Sequence, residues 1–412
     1  MKTIIENIQV LYGTHASDIQ KLKGDEMKKL PHIENALILI ENGMFSWIGP
    51  QSEFDYQAHE SAQRIDAKGG SVLPGFCDSH SHIVFDGWRE TEFRDKIEGL
   101  SYEEIYKKGG GILQSAQRLS QATEESLYQQ SMQRLRQMQS MGTTALEIKS
   151  GYGLSVKDEL KMLRVIKRMK EENTMHIKST FLGAHAFPAA YKENPDAYVD
   201  LIIDEMLPQI AAENLADYVD VFCDKGFFSV AQTDRILNAG AKYGLKPKIH
   251  ANELDFSGGI QVGVKHKAVS VDHLEFTGDA EIDALLSSDT MPTLLPSTAF
   301  FLGLHYPPAR KMIESGLPIA LASDYNPGSS PSGSMPFVIS LACIKLKMLP
   351  EEAVNAATIN AAAAMEWEAG GKICPGYQAD FIITNPLPSL SFIPYAFTTN
   401  HIQSVYIHGK AV

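Results

Sequence analysis

The 412-residue sequence predicts an α/β fold, a (β/α)8 TIM-like barrel with a small β domain built from both chain ends. Three observations predict it. Eight short apolar runs between Leu73 and Asn326 alternate with segments of helical length. Residues 1–72 and 366–412 share a different texture, strands broken by turns. The composition, 44% apolar and 21% charged, is that of a chain able to bury a sizeable core. An open doubly wound sheet is the alternative use of the same alternation.

In the N-terminal part of the small domain, "KTIIENIQVLY" and "NALILIENGMFSWIGP" are rich in β formers and interrupted by Gly and Pro, with a polar loop, "GDEMKKLPHIE", between them. Gly69, Gly70, Pro74 and Gly75 bracket a short strand, and the barrel is expected over residues 73–365. Its strands are Phe76–Val84, Ala145–Lys149, "HIKSTFLGAHA", "YVDVFCD", "KPKIHAN", "AVSVDHLEF", "MPTLLPS" and "PIALASDYN". Between the first two, "SYEEI" reads as a capping box with Ser101 as N-cap and Glu104 three residues on. A helix is expected from Thr123 to Met141, its Met-containing stripe turned to the barrel. "LPEEAVNAATINAAAAM" reads as one helix opening at Pro350. After it, "ADFIITNP" and "HIQSVYIHGKAV" return to strands, so residues 366–412 complete the small domain.

Charge and motifs exclude several functions. With 37 basic against 50 acidic residues, the net charge of −13 argues against a nucleic-acid partner. No run approaches the ~20 apolar residues of a membrane span, and no secretory leader is evident. Four scattered cysteines, Cys77, Cys223, Cys343 and Cys374, suit a reducing, cytoplasmic setting. The Gly109–Gly111 run lacks the GK[ST] of a phosphate loop, and no dinucleotide fingerprint or GxSxG elbow is present.

"LPGFCDSHSHIVFDGWRE" carries the first chemical signal. Residues i and i+2 of a strand share a face, so His80 and His82 would both look out of the barrel mouth, where catalytic groups of this fold gather. HxH alone is weak. However, His185, His250, His273 and Asp324 also close predicted strands, and five of the 13 histidines thus fall at strand ends. His80, His82, His250 and Asp324 offer a ligand set for one divalent metal, zinc or iron, with an open position for water. Asp324 can also take a proton from that water. His273 can stabilise an oxyanion, and Glu253, three residues after His250, can shuttle a proton. A helix-start carboxylate is an equal reading of Glu253. Lys149 closes an early strand, but no further ligand set accompanies it, so it reads as a structural lysine near the metal. Arg89 suits a substrate carboxylate, although a surface salt bridge explains it as well. Tyr152 in "SGYGL" reads equally as loop packing, and "DYNPGSSPSG" as a plain turn or a polar cradle.

These segments resemble the amidohydrolase superfamily and, within it, the imidazolonepropionase family. "LPGFCDSHSHIVFDGWRETEF", "GGGI", "EIKSGYGL", "FLGAHAFP", "IHANE", "VDHLE" and "LASDYNPGSSP" stand in the family's order along nearly the whole chain. The resemblance implies hydrolysis of the cyclic amide of 4-imidazolone-5-propanoate, a small anionic substrate, to N-formimidoyl-L-glutamate in histidine degradation. It implies zinc or iron at His80, His82, His250 and Asp324, and substrate contacts at Arg89, Tyr152, His185, Glu253, Asn326, Gly328 and Ser329, with His273 near the reacting carbonyl. It leaves a homodimer possible. Cys77 and Ser79 depart from the family pattern just ahead of His80 and leave the ligands intact. Two rivals stay open: an aminohydrolase deaminating a heterocycle, and a non-catalytic barrel serving as a binding module.

Overall fold

The protein is described from a computed structural model over residues 2–100 and 110–412. The capping box at Ser101 and Glu104, and Gly109, lie outside the described residues.

Strands β1 (Lys2–Tyr12), β2 (His32–Glu41), β3 (Met44–Pro50), β4 (Gln63–Asp66) and β5 (Val72–Pro74) come first. The central run is β6 (Phe76–Asp78), β7 (Thr143–Lys149), β8 (His176–Ala184), β9 (Tyr218–Cys223), β10 (Lys246–Ala251), β11 (Ser270–His273), β12 (Met291–Leu294) and β13 (Ala320–Leu321). The C-terminal strands are β14 (Phe381–Thr384), β15 (Ile402–Ile407) and β16 (Lys410–Ala411).

The first and last groups share one sheet, ordered β16-β15-β14-β5-β1-β2-β3, with β4 also paired to β1. A bulge between Ile5 and Ile8, with Asn7 at φ 56°, lets β1 change partners: Thr3–Glu6 run beside β4, and Leu11 beside Val72 of β5. Ile5, Ile38 and Phe45 pack with Phe381, Ile383 and Tyr406, so one core draws on both chain ends. Leu37 and Leu39 point the other way and pack with Ile4 and Trp47.

The central eight strands run parallel from β6 to β13 in chain order. Neighbours β6 and β13 meet beyond their strand ends. Ser81 and Tyr325 form a parallel bridge, Asp324 N–H donates to His80 O at 3.0 Å, and His82 N–H donates to Tyr325 O at 2.9 Å. Ser323 N–H also donates to Asp78 Oδ1 at 3.0 Å. The sheet closes as a barrel, and its seam runs through three of the predicted metal ligands.

Helices pack outside. Thr123 caps Glu124–Ser140 through Ser126 N–H, and Met132, Leu135 and Met138 of that helix are buried. The segment expected as one helix from Pro350 is two, Pro350–Ala357 and Ile359–Ala363. Thr358 breaks it at φ −126°, ψ −94°. The break frees Asn360 to accept from Leu22 N–H and to donate to Leu22 O and Ile319 O. Three buried backbone bonds to distant segments outweigh continuity of an alanine-rich helix. Among the described residues, no helix is long and apolar enough to cross a membrane.

Gly70 marks the join between the two chain ends. A Cβ there would stand 2.0 Å from the Thr384 carbonyl oxygen. Gly70→Ala is expected to destabilise the fold by about 1–3 kcal/mol, measured by denaturant unfolding. An unchanged midpoint would show that the join yields without cost.

Candidate active site

The barrel interior departs from the apolar layers usual in this fold. Successive inward positions of β7 carry Glu147 and Lys149, and facing strands supply Asp220, Lys248 and Asp272, all wholly buried. Lys149 Nζ lies 2.6 Å from Glu147 Oε1, 2.8 Å from Asp220 Oδ2 and 3.6 Å from Asp272 Oδ2. Lys248 pairs with the other oxygen of Glu147 and donates to Ser79 O at 3.0 Å. Burial opposes charge on Lys149, but Asp220, Glu147 and Asp272 overcome it and hold the ammonium protonated. Lys149 is therefore a buried cation beneath the site, sharing Glu147 with Lys248.

Two of these carboxylates orient histidines. Asp272 Oδ2 lies 2.6 Å from His80 Nδ1, and Asp220 Oδ1 lies 3.1 Å from His250 Nδ1. A carboxylate at Nδ1 favours the tautomer whose Nε2 lone pair is free. His80 Nε2 and His82 Nε2 are 3.2 Å apart, and ring nitrogens of His80, His82 and His250 all lie within 4.8 Å of one another. His250 Nε2 is buried without a hydrogen-bond partner. Asp324 Oδ1 stands 3.4 Å from His80 Nε2 and 3.3 Å from His82 Nε2, while Thr298 donates to Asp324 Oδ2 at 2.6 Å.

This donor set fits a divalent metal. Burial first of all, which outweighs their neighbouring carboxylates, pulls His82 and His250 below the ordinary histidine range, so both favour the neutral form a ligand needs. Burial opposes ionisation of Asp324, but His80 and His82 hold its carboxyl well below the usual range. The three nitrogens and one oxygen suit zinc or ferrous iron alike.

His273 lies beside this group, its ring centroid 5.3 Å from that of His250. Its Nε2 faces Glu253 Oε2 at 3.7 Å, and its Nδ1 faces Glu275 Oε2 at 3.9 Å. Burial disfavours the imidazolium, but Glu253, Glu275 and Asp324 win and raise His273 to about 9. Glu253 in turn is pushed up by burial. Backbone strain gathers here: His273 has φ 87°, Leu274 φ 71° and Asp324 φ 51°. Such conformations cost about 1–3 kcal/mol each and persist where surrounding structure enforces them.

The group opens into a cavity of about 810 Å³. His82, Tyr152, His185, His250, Glu253, His273 and Asp324 line it with Arg89, Asn326, Gly328 and Ser329. The His185 ring stacks on His82 at 5.3 Å, and its Nδ1 lies 2.9 Å from Gly151 O. Burial, reinforced by His82, lowers His185 to about 3, leaving a neutral imidazole. Tyr152 is 2% exposed, and burial pushes its phenol above the ordinary range. Asn326 accepts from Gly328 N–H and Ser329 N–H, both at 2.8 Å, and donates to Asp324 O and Ser329 Oγ. Its amide is committed to shaping the turn after β13. Arg89 stands at the N-cap position of the helix Glu90–Ile97, and its side chain forks onto Glu92, with bonds of 2.7–3.0 Å. All predicted site residues but His80 line this cavity, and His80 lies directly behind them, against His82 and His250.

Sequence reading passed over the residues beneath and beside them. Asp220, Asp272, Lys248, Thr298, Glu92, Glu275 and Lys96 were not singled out. A charge inside an apolar strand, as in "YVDVF" and "SVDH", was the available signal for the two aspartates.

The chain matches the model of the amidohydrolase family over residues 71–412. It is 53% identical to the imidazolonepropionase of Christiangramia forsetii over 413 residues, covering all of both chains. It is 43% identical to that of Geobacillus kaustophilus, covering 98% of this chain and 95% of the relative. Among solved structures, E. coli guanine deaminase superposes with a TM-score of 0.76 at 15% identity, covering 100% of this chain and 99% of that one. At that identity the likeness speaks for the fold.

Asp272→Asn is expected to weaken divalent-metal affinity by ~10- to 100-fold, read by competition with a metal buffer on protein whose fold is checked by circular dichroism. Unaltered affinity would mean that Asp272 does not set the His80 orientation.

Proposed function

The chain belongs to the amidohydrolase family, among its imidazolonepropionases, and on that premise we propose how it hydrolyses the cyclic amide of 4-imidazolone-5-propanoate to N-formimidoyl-L-glutamate. The observation that carries the reading is the close group His80, His82, His250 and Asp324, opening through His82, His250 and Asp324 into a cavity that Arg89 also lines.

His80, His82, His250 and Asp324 would hold a single zinc or iron ion. When bound, such an ion supplies Lewis acidity and an activated water at neutral pH. The buried Lys149 supports a single ion, because its ammonium already occupies the carboxylates Glu147, Asp220 and Asp272.

The reaction adds one water across the ring C–N bond. Asp324 or Glu253 takes the proton that water loses, and the same proton reaches the leaving ring nitrogen. His273 donates from Nε2 to the carbonyl oxygen as negative charge develops there. Tyr152 and His185 form the wall beside the metal centre, a neutral pair that suits a planar heterocycle. Arg89 presents its guanidinium to the propanoate and fixes the ring's orientation. The cytoplasm is the proposed setting, in keeping with four free cysteines.

Incubation of the purified protein with 4-imidazolone-5-propanoate is expected to remove the ring's ultraviolet absorbance without releasing ammonia. Ammonia release would select the aminohydrolase reading instead. Chelation is expected to abolish turnover, and zinc or ferrous iron to restore it. Full activity in protein shown by elemental analysis to be metal-free would overturn the metal assignment. Arg89→Ala is expected to raise KM by ~10- to 100-fold with a smaller change in kcat, and an unchanged KM would remove Arg89 from substrate binding.

A further inference from the structure

Arg89 is not the cation with most charge to spare. Its Nε and one terminal nitrogen already fork onto Glu92, which also accepts from Gly111 N–H at 2.9 Å. Glu92 is buried, so this pair is internally neutralised.

One helical turn beyond Glu92, and two beyond Arg89, Lys96 lines the same cavity. Arg89, Phe93, Lys96 and Ile97 recur at helical spacing, so the helix Glu90–Ile97 turns this face to the cavity. Lys96 Nζ donates to Gly328 O at 3.2 Å and sits 5.6 Å from the Phe301 ring centroid. Among the described residues, no carboxylate oxygen lies within 4.0 Å of it. Burial, and then Arg89, pull its ammonium below the ordinary lysine range. Gly328 joins the two cations: a Cβ on it would lie 2.2 Å from Arg89 Nη1, while its carbonyl holds Lys96.

Arg89, Glu92 and Lys96 together carry one net positive charge at this wall. The acid-rich wall, with Asp324 and Glu253, belongs to the metal centre. A monoanionic tail would balance the first group.

We propose that Lys96 is a specificity-determining residue, its ammonium meeting the substrate carboxylate beside Arg89 and selecting substrates that carry a negative tail. The inference rests on the imidazolone reading and deepens it. Lys96 makes the charge-assisted contact, and Arg89, held by Glu92, sets its direction.

The test compares 4-imidazolone-5-propanoate with its neutral propanamide in wild type, Lys96→Met, Lys96→Gln and Lys96→Arg. Wild type is expected to prefer the propanoate. In K96M and K96Q the propanoate-to-propanamide ratio of kcat/KM is expected to fall ~10- to 100-fold, with the loss in the propanoate KM. K96R is expected to keep most of the preference. Two neutral replacements guard against a folding failure in either. A ratio unchanged in K96M and K96Q, or lost equally in K96R, overturns the role of Lys96 and leaves the imidazolone reading standing. A wild type that opens neither ring overturns that reading, and the Lys96 inference falls with it.

Discussion

Everything at the mouth of this barrel depends on the buried charge network beneath it. Glu147, Asp220 and Asp272 share Lys149 and Lys248 where no water reaches. Ions so enclosed are costly unless paired and hydrogen-bonded, and removing one partner of such a pair costs about 3–5 kcal/mol. The network uses that constraint. Because Asp220 and Asp272 cannot turn elsewhere, His250 and His80 are held by Nδ1, and their Nε2 atoms point to a common place. A site assembled from well-separated strands becomes as rigid as the barrel interior.

Closure of the barrel does the rest. The seam between the ends of β6 and β13 is made of backbone bonds from Asp324 to His80 and from His82 to Tyr325. The contact that completes the ring is therefore also the contact that brings Asp324 to the histidine pair. Strain at His273 and Asp324 lies where the strands give way to loops. The cavity then extends from the histidines and Asp324 to Arg89 and Lys96 at the helix Glu90–Ile97.

Much of this was legible along the chain. Each of the eight barrel strands is visible as an apolar run, and the ligating types cluster at their ends because this fold places chemistry there. The pairing of the chain ends showed in their shared texture, and Ile5 and Phe381 do meet in one core. Other features were not legible. The helix after Pro350 looks continuous by propensity, yet Thr358 breaks it because Asn360 satisfies distant backbone groups. Lys96 carries no local signal, since nothing near it in the sequence says that the Gly328 carbonyl meets it.

By itself, then, the sequence determined the strand order, the residue types offered at the strand ends and a net charge of −13, because periodicity and composition are local properties. Tertiary structure alone decided which carboxylate holds which histidine, that Lys149 lies beneath the metal centre, and that Arg89 shares its charge with Glu92. Those are contacts between residues distant along the chain or turned by a loop, and their energies exist only once water is excluded between them.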